Sequence, residues 1–150
     1  EAETVCPGKY IVIITGELSA VNASVEAAKT MHSMHLIDSF VLGNPADEIF
    51  PAIYGASKVE IVNSLGIIET YDAAAIIVAA DQAAKTAEVS LIEIRLARGM
   101  CGKSYLLITG EVAAVEAAIS RAQKAVEPRG MFLDSSVIAR PDKKLIDQIL

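Results

Sequence analysis

The stretch GKYIVIITGELSAVNASVEAA, Gly8–Ala28, returns later in the chain as GKSYLLITGEVAAVEAAISRA, Gly102–Ala122. An offset of 94 residues lays Gly8 on Gly102, Lys9 on Lys103, Thr15 on Thr109, Gly16 on Gly110, Glu17 on Glu111 and Val21 on Val115. Self-similarity over this length means one structural unit used twice. Further out, DSFVLGNPADEIFPAI from Asp38 aligns with DSSVIARPDKKLIDQI from Asp134 once a two-residue length difference is allowed. Each copy is therefore expected to end in a strand, a proline turn and a short helix. The second copy also carries a stretch beginning at Leu65 whose counterpart in the first would precede Glu1. The first copy reads as cut, and the chain, which starts with Glu rather than Met, reads as part of a longer two-domain protein. The predicted organisation is the C-terminal half of one unit over 1–57, a linker over 58–63 and a complete second unit over 64–150. The joining stretch YGASKVEIVN, Tyr54–Asn63, is short enough to hold the copies side by side.

The second copy reads clearly. SLGIIET, Ser64–Thr70, is an Ile-rich apolar run suited to a buried strand. Asp72 is placed to cap a helix running to about Thr86. VSLIEIRL, Val89–Leu96, alternates as a strand with one exposed face does, and ARGMCGK breaks it with two glycines. SYLLIT, Ser104–Thr109, is the next strand, followed by a helix from about Val112 to Val126 that Pro128 and Gly130 end. MFLDSSVI is the last strand, Arg140-Pro141 turns the chain, and Lys143–Leu150 is a closing helix. Strand, helix, strand, strand, helix, strand predicts an α+β fold of tandem ferredoxin-like units, an antiparallel sheet with both helices on one face. In the first copy the strand Lys9–Thr15, its helix, the last strand and the trailing helix are expected.

Composition narrows the function classes. Apolar residues make up 53% of the chain and aromatics only 5%, so helices lean on Ala, which permits close packing but fills little volume. A mean hydropathy of +0.43 without a long apolar span points to surfaces buried by assembly. The longest apolar run, AAAIIVAA at Ala73–Ala80, is far short of the roughly 20 residues of a membrane span. A net charge of −6 argues against a nucleic-acid partner. Two cysteines, Cys6 and Cys101, without a secretory signal fit a reducing, cytoplasmic compartment and no disulfide framework.

Single residues say less. Cys6 taken alone reads as an inert small hydrophobe. His32 and His35 lie three apart but lack a third ligand at suitable spacing, so they read as solvent residues at a helix end. Glu17 and Glu111 follow Thr-Gly at helix starts, where a negative side chain complements the helix dipole. No nucleophile–base pair, phosphate loop or zinc spacing is present, and no enzymatic activity is expected.

Taken together and in order, LGIIET, AADQAAKTA, the glycine-broken turn, ITGEVAAVEAA and VIARP resemble the shell-protein domain of bacterial microcompartments. The match runs from Leu65 to about Pro141 and, for the half-copy, from Cys6 to Ile53. Tandem domains resemble the trimeric members, in which three chains build a pseudo-hexagonal tile with a central pore. VCPGK further resembles members of the propanediol-utilisation type whose pore cysteine binds an iron-sulfur cluster. The resemblance implies a homotrimer in contact with other shell proteins and with encapsulated redox enzymes, and no membrane or nucleic acid. It implies a 4Fe-4S cluster held by Cys6 of three chains, since one thiolate per chain cannot assemble a site that ordinarily takes four. It implies a pore lined by Cys6, Pro7 and Gly8 from one copy and Met100, Cys101 and Gly102 from the other, flanked by Lys9, Lys103 and Arg98. Cys101 departs from the single-cysteine pattern, aligning with Pro7 rather than Cys6. Lys85 and Arg140 match positions at the tile edge, and the first copy reads Gly43-Asn44-Pro45 where the arginine would stand. Two rivals remain: the same fold with a metal-free metabolite pore, and a ferredoxin-like small-molecule sensor.

Overall fold

A computed structural model describes residues 1–59 and 61–149. Glu60 of the predicted linker and Leu150 of the predicted last helix lie outside the described residues. The first copy begins with an antiparallel hairpin, β1 (Ala2–Cys6) and β2 (Lys9–Val12), followed by α1 (Leu18–Met31) and α2 (Ile49–Ile53). The second contains β3 (Leu65–Thr70), α3 (Ala73–Thr86), β4 (Val89–Arg95), β5 (Ser104–Gly110), α4 (Val112–Val126), a 3-10 turn at Glu127–Arg129, β6 (Phe132–Ile138) and α5 (Lys143–Ile149). Its four strands form one sheet in the order β4-β5-β3-β6 with every neighbouring pair antiparallel. This is the predicted split βαβ arrangement.

Small residues set the spacing of the helical layer. Ala75, Ala79, Ala80 and Ala83 of α3 and Ala118 and Ala122 of α4 are all fully buried, so the two helices approach closely over Ile68, Leu106 and Ile108 of the sheet. The repeat holds in backbone detail. Glu17 and Glu111 immediately precede α1 and α4 in matching extended conformations, and their carbonyls accept from Val21 N and Val115 N, each at 2.9 Å. Asp72 caps α3, its Oδ1 accepting from Ala75 N at 2.6 Å. Its Oδ2 is buried without a partner, and burial raises this carboxyl's pKa, partly offset by the Ala75 amide.

The second copy differs from expectation in one respect. Val89–Leu96 was expected to expose one face, yet Leu91 and Ile92 are both buried, with a register shift between Leu91 and Glu93. Strand alternation puts Ile92 on the opposite sheet face, where it joins Leu65 and Leu107, and the shift returns Ile94 to the face of Leu91. That face is covered by Val59 and Val62 of the linker and by Ile149 of α5. The linker is therefore part of the packing.

The first copy departs further. Asp38–Leu42, expected as its last strand, forms no strand. In the second copy the corresponding β6 is paired to β3, and residues 1–63 contain no counterpart of β3 to supply the ladder. The predicted strand Lys9–Thr15 ends at Val12, where its partner β1, absent from the sequence reading, ends at Ala2. Elsewhere the half-copy is fastened to the complete one. Ile49 and Ala52 of α2, 2% and 0% exposed, join the main core beside Leu91 and Ile94. Asp81, buried within α3, accepts from Ala46 N at 3.0 Å and pairs with Lys85 at 2.7 Å. Arg129 pairs with Asp38 across the same seam.

Candidate functional site

The hairpin turn Cys6-Pro7-Gly8 is built by its residues. Gly8 sits at φ +78°, open to glycine at little cost, Pro7 pre-sets its own φ, and Cys6 and Lys9 close the turn as cross-strand partners. Cys6 is the last residue of β1, half-buried, with a free thiol. Pro7 and Gly8 are exposed.

The equivalent connection of the second copy, Leu96–Lys103, is two residues longer, because Arg95 pairs with Tyr105 whereas Glu3 pairs with Ile11, the residue the repeat lays on Tyr105. Four of its residues have left-handed backbones: Ala97 at φ +58°, Gly99 at +73°, Cys101 at +56° and Gly102 at +97°. Internal bonds hold this coil, Met100 N to Ala97 O at 3.1 Å, Lys103 N to Met100 O at 3.2 Å, and Ala97 N to the buried Ser104 Oγ at 3.0 Å. Cys101 is exposed with a free thiol, and Gly102 is buried.

The structure brings the two loops together. Gly99 N donates to Val5 O at 3.2 Å, directly before Cys6. Arg98 pairs with Glu3 at 2.6 Å and Glu1 at 3.1 Å, and Lys9 Nζ donates to the carbonyl of Cys101. The six residues expected to line a pore thus lie on two adjoining loops at one end of the molecule, Gly102 beneath the Lys9 side chain rather than open to solvent. Lys9 and Arg98 are consumed in joining the loops, whereas Lys103 is exposed. Beside the second loop is a cleft of about 340 Å³ lined by Glu69, Met100, Cys101, Lys103 and Ser104. Among the described residues no three or more His, Cys, Asp or Glu side chains gather in one chain to hold a metal.

The two residues expected at an edge are separated in role. Lys85 lies against the first copy's turn, donating to the Asn44 carbonyl as well as to Asp81. Arg140 is exposed on the turn after β6. His32 and His35 are exposed at the end of α1. The sequence reading missed Asp81 as a fastening residue; its signal was a lone acid in an otherwise Ala-rich helix, four residues before Lys85.

A residue group near the loops has an electrostatic signature. Tyr105 OH donates to Glu93 Oε2 at 2.9 Å, and the Arg95 guanidinium lies 5.5 Å from its ring while pairing with Glu93 at 2.7 Å. Burial, then the Glu93 carboxylate, pushes the Tyr105 phenol up to about 12 from 10.0. The folded phenol keeps its proton where the unfolded one has lost it, so this stabilisation is complete below pH 10 and is lost as pH rises through about 12. Ultraviolet titration of the folded protein should show a tyrosine ionising at about 12, and Tyr105→Phe should remove that step; a step there persisting in the variant would assign it elsewhere.

The sequence profile of the BMC domain matches residues 1–45 and 64–141, most of the chain. The chain belongs to the bacterial microcompartment (BMC) domain family. Over 149 residues it is 34% identical to the bacterial microcompartment shell protein PduT of Citrobacter freundii, spanning 99% of this chain and 81% of that one. It is also similar to a solved microcompartments protein from Desulfitobacterium hafniense DCB, with 45% identity, a TM-score of 0.88, and coverage of 98% of this chain and 82% of that chain. The BMC fold accounts for the split βαβ sheet and for the doubled loop. It is a microcompartment shell protein, a structural part rather than an enzyme, with its place in the shell of a body within the cytoplasm. No helix among the described residues is long and apolar enough to cross a membrane.

Proposed function

We propose that this shell protein assembles as a homotrimer whose pore is formed by the paired loops, and that three Cys6 thiolates there hold one 4Fe-4S cluster. The observation that carries the reading is the pairing itself: the Cys6 turn is bonded side by side with its repeat, as neighbouring units around an axis would be. The donor set fits such a group only across chains. A chain offers two free cysteines on adjoining loops, half-buried Cys6 and exposed Cys101, and no ligand cluster among its described residues, so ligation requires thiolates from several copies meeting at a symmetry axis.

In that arrangement Cys6 supplies the thiolates, Pro7 and Gly8 hold the turn rigid and slim enough for three copies to converge, and the second loop closes the rim with Met100 and Cys101. A cluster with three protein ligands supplies one-electron transfer across the shell, or a labile plug whose loss opens the pore. Arg140, exposed on the turn after β6, serves contacts at the tile edge with other shell proteins, while Lys85 holds the first copy's turn within the chain, and encapsulated redox enzymes are the partners such a cluster would serve.

Iron and acid-labile sulfide per trimer, with electron paramagnetic resonance after reduction, test this on anaerobically purified protein. About one cluster per trimer is expected, abolished by Cys6→Ser with the trimer intact on native mass spectrometry. An intact trimer that takes up no cluster under reconstituting conditions would leave a metal-free metabolite pore.

A further inference from the structure

The geometry assigns Lys9 the task of fixing the second loop on the first, which makes it a positioning residue for the Cys6 thiolate; this rests on the cluster reading above. Lys9 stands directly across the turn from Cys6 in the β1–β2 hairpin, yet its side chain leaves the hairpin and donates to the carbonyl of Cys101. The berth it occupies is made by a missing side chain. A Cβ on Gly102 would lie 2.8 Å from Lys9 Nζ, closer than such atoms approach, and 3.1 Å from its Cδ, so the lysine would have to shift. The left-handed backbone of Cys101, at φ +56°, is part of the tight turn that offers its carbonyl to the amine.

Apart from this bond, the loops are joined by the Gly99 N to Val5 O hydrogen bond and by Arg98 with Glu1 and Glu3. Arg98 is 50% exposed, and ion pairs so open to solvent hold little. The Lys9 bond is charge-assisted and, unlike those ion pairs, holds the second loop by its backbone. Carried by the residue that pairs with Cys6, the same amine keeps a positive charge within a side-chain length of that turn. Positive charge there favours the reduced, more negative state and so raises the reduction potential.

Two variants of the full chain separate these effects. Lys9→Met removes bond and charge, while Gly102→Ala keeps the charge but displaces the amine. In the apo trimer, amide exchange at Gly99 should quicken about tenfold in Lys9→Met, and alkylation of Cys6 should quicken with it. In the loaded trimer the potential should fall in Lys9→Met and move less in Gly102→Ala. Unchanged Gly99 exchange in Lys9→Met, or a potential that does not move, would overturn the assignment. Loosened loops in a protein that takes up no cluster would retain the clamp, discard its link to a cluster and count against the proposed function instead.

Discussion

Gly66→Ala should lower the melting temperature of the 150-residue chain by roughly 6–12 °C, corresponding to about 3 kcal/mol. Gly66 is buried in β3, between Ile108 on β5 and Val137 on β6, beneath α4. A Cβ there would fall 2.6 Å from Val115 Cγ1 and 2.7 Å from Ile108 Cγ1, two side chains that are fully buried. Neither has room to rotate away, so α4 must lift from the sheet or the strand must bend. Alanine's slightly better strand preference, a few tenths of a kcal/mol, is far smaller than the overpacking cost. Because Val115 is one of the two partners in the clash, Val115→Ala should recover part of the loss when combined with Gly66→Ala, although alone it leaves a cavity. Additive losses in the double variant, or an unchanged melting temperature for Gly66→Ala, would show that α4 does not rest on β3 at this point.

Placing a second copy of Ser64–Ile92 directly before Glu1 should convert the half-copy into a full domain. The register defines the junction: the repeat carries Val12 onto Leu106, and therefore carries Ala2, cross-strand from Val12, onto Ile94, cross-strand from Leu106. The exposed surface defines the effect. Val12 is 64% exposed where Leu106 is buried, and Ile14 44% exposed where Ile108 is buried. Helix α1 buries no residue, whereas α4 buries five. What covers their counterparts is β3 and α3, the units the insertion supplies. Burying each large apolar side chain contributes roughly 1.5–3 kcal/mol, so binding of a hydrophobic dye should drop sharply and exchange at the β2 amides should slow by orders of magnitude. Asp38–Leu42 should become a strand, gaining the ladder partner that β3 gives to β6. Undiminished dye binding and fast β2 exchange in a folded, soluble product would show that the half-copy does not accept the unit.

Much of this molecule was legible because its elements are locally determined. In Leu65–Ile138 the apolar runs, the Asp72 cap and the glycine breaks agree with one another, and strands and helices follow within a residue or so. The half-copy was legible only as a repeat of that pattern, and the pattern misled at Asp38–Leu42. A strand depends on a neighbour, and the same residues that pair in one copy stay unpaired in the other. The candidate site was half visible. Cys6-Pro7-Gly8 stands out as a turn, but nothing local indicates that Lys9 reaches Cys101, 92 residues away, or that Gly102 must lack a side chain for it to do so.

The order of elements, the doubling of the unit, the turn that carries Cys6 and the membership of a shell family were all determined by the chain read as letters, because periodicity, caps and repeats are short-range properties. The seating of α2 on β4, the burial of Asp81 between the copies and the bonding of two distant loops were decided only by the folded structure. Those contacts join residues far apart in sequence, and their strength comes from burial and geometry that exist once the copies pack.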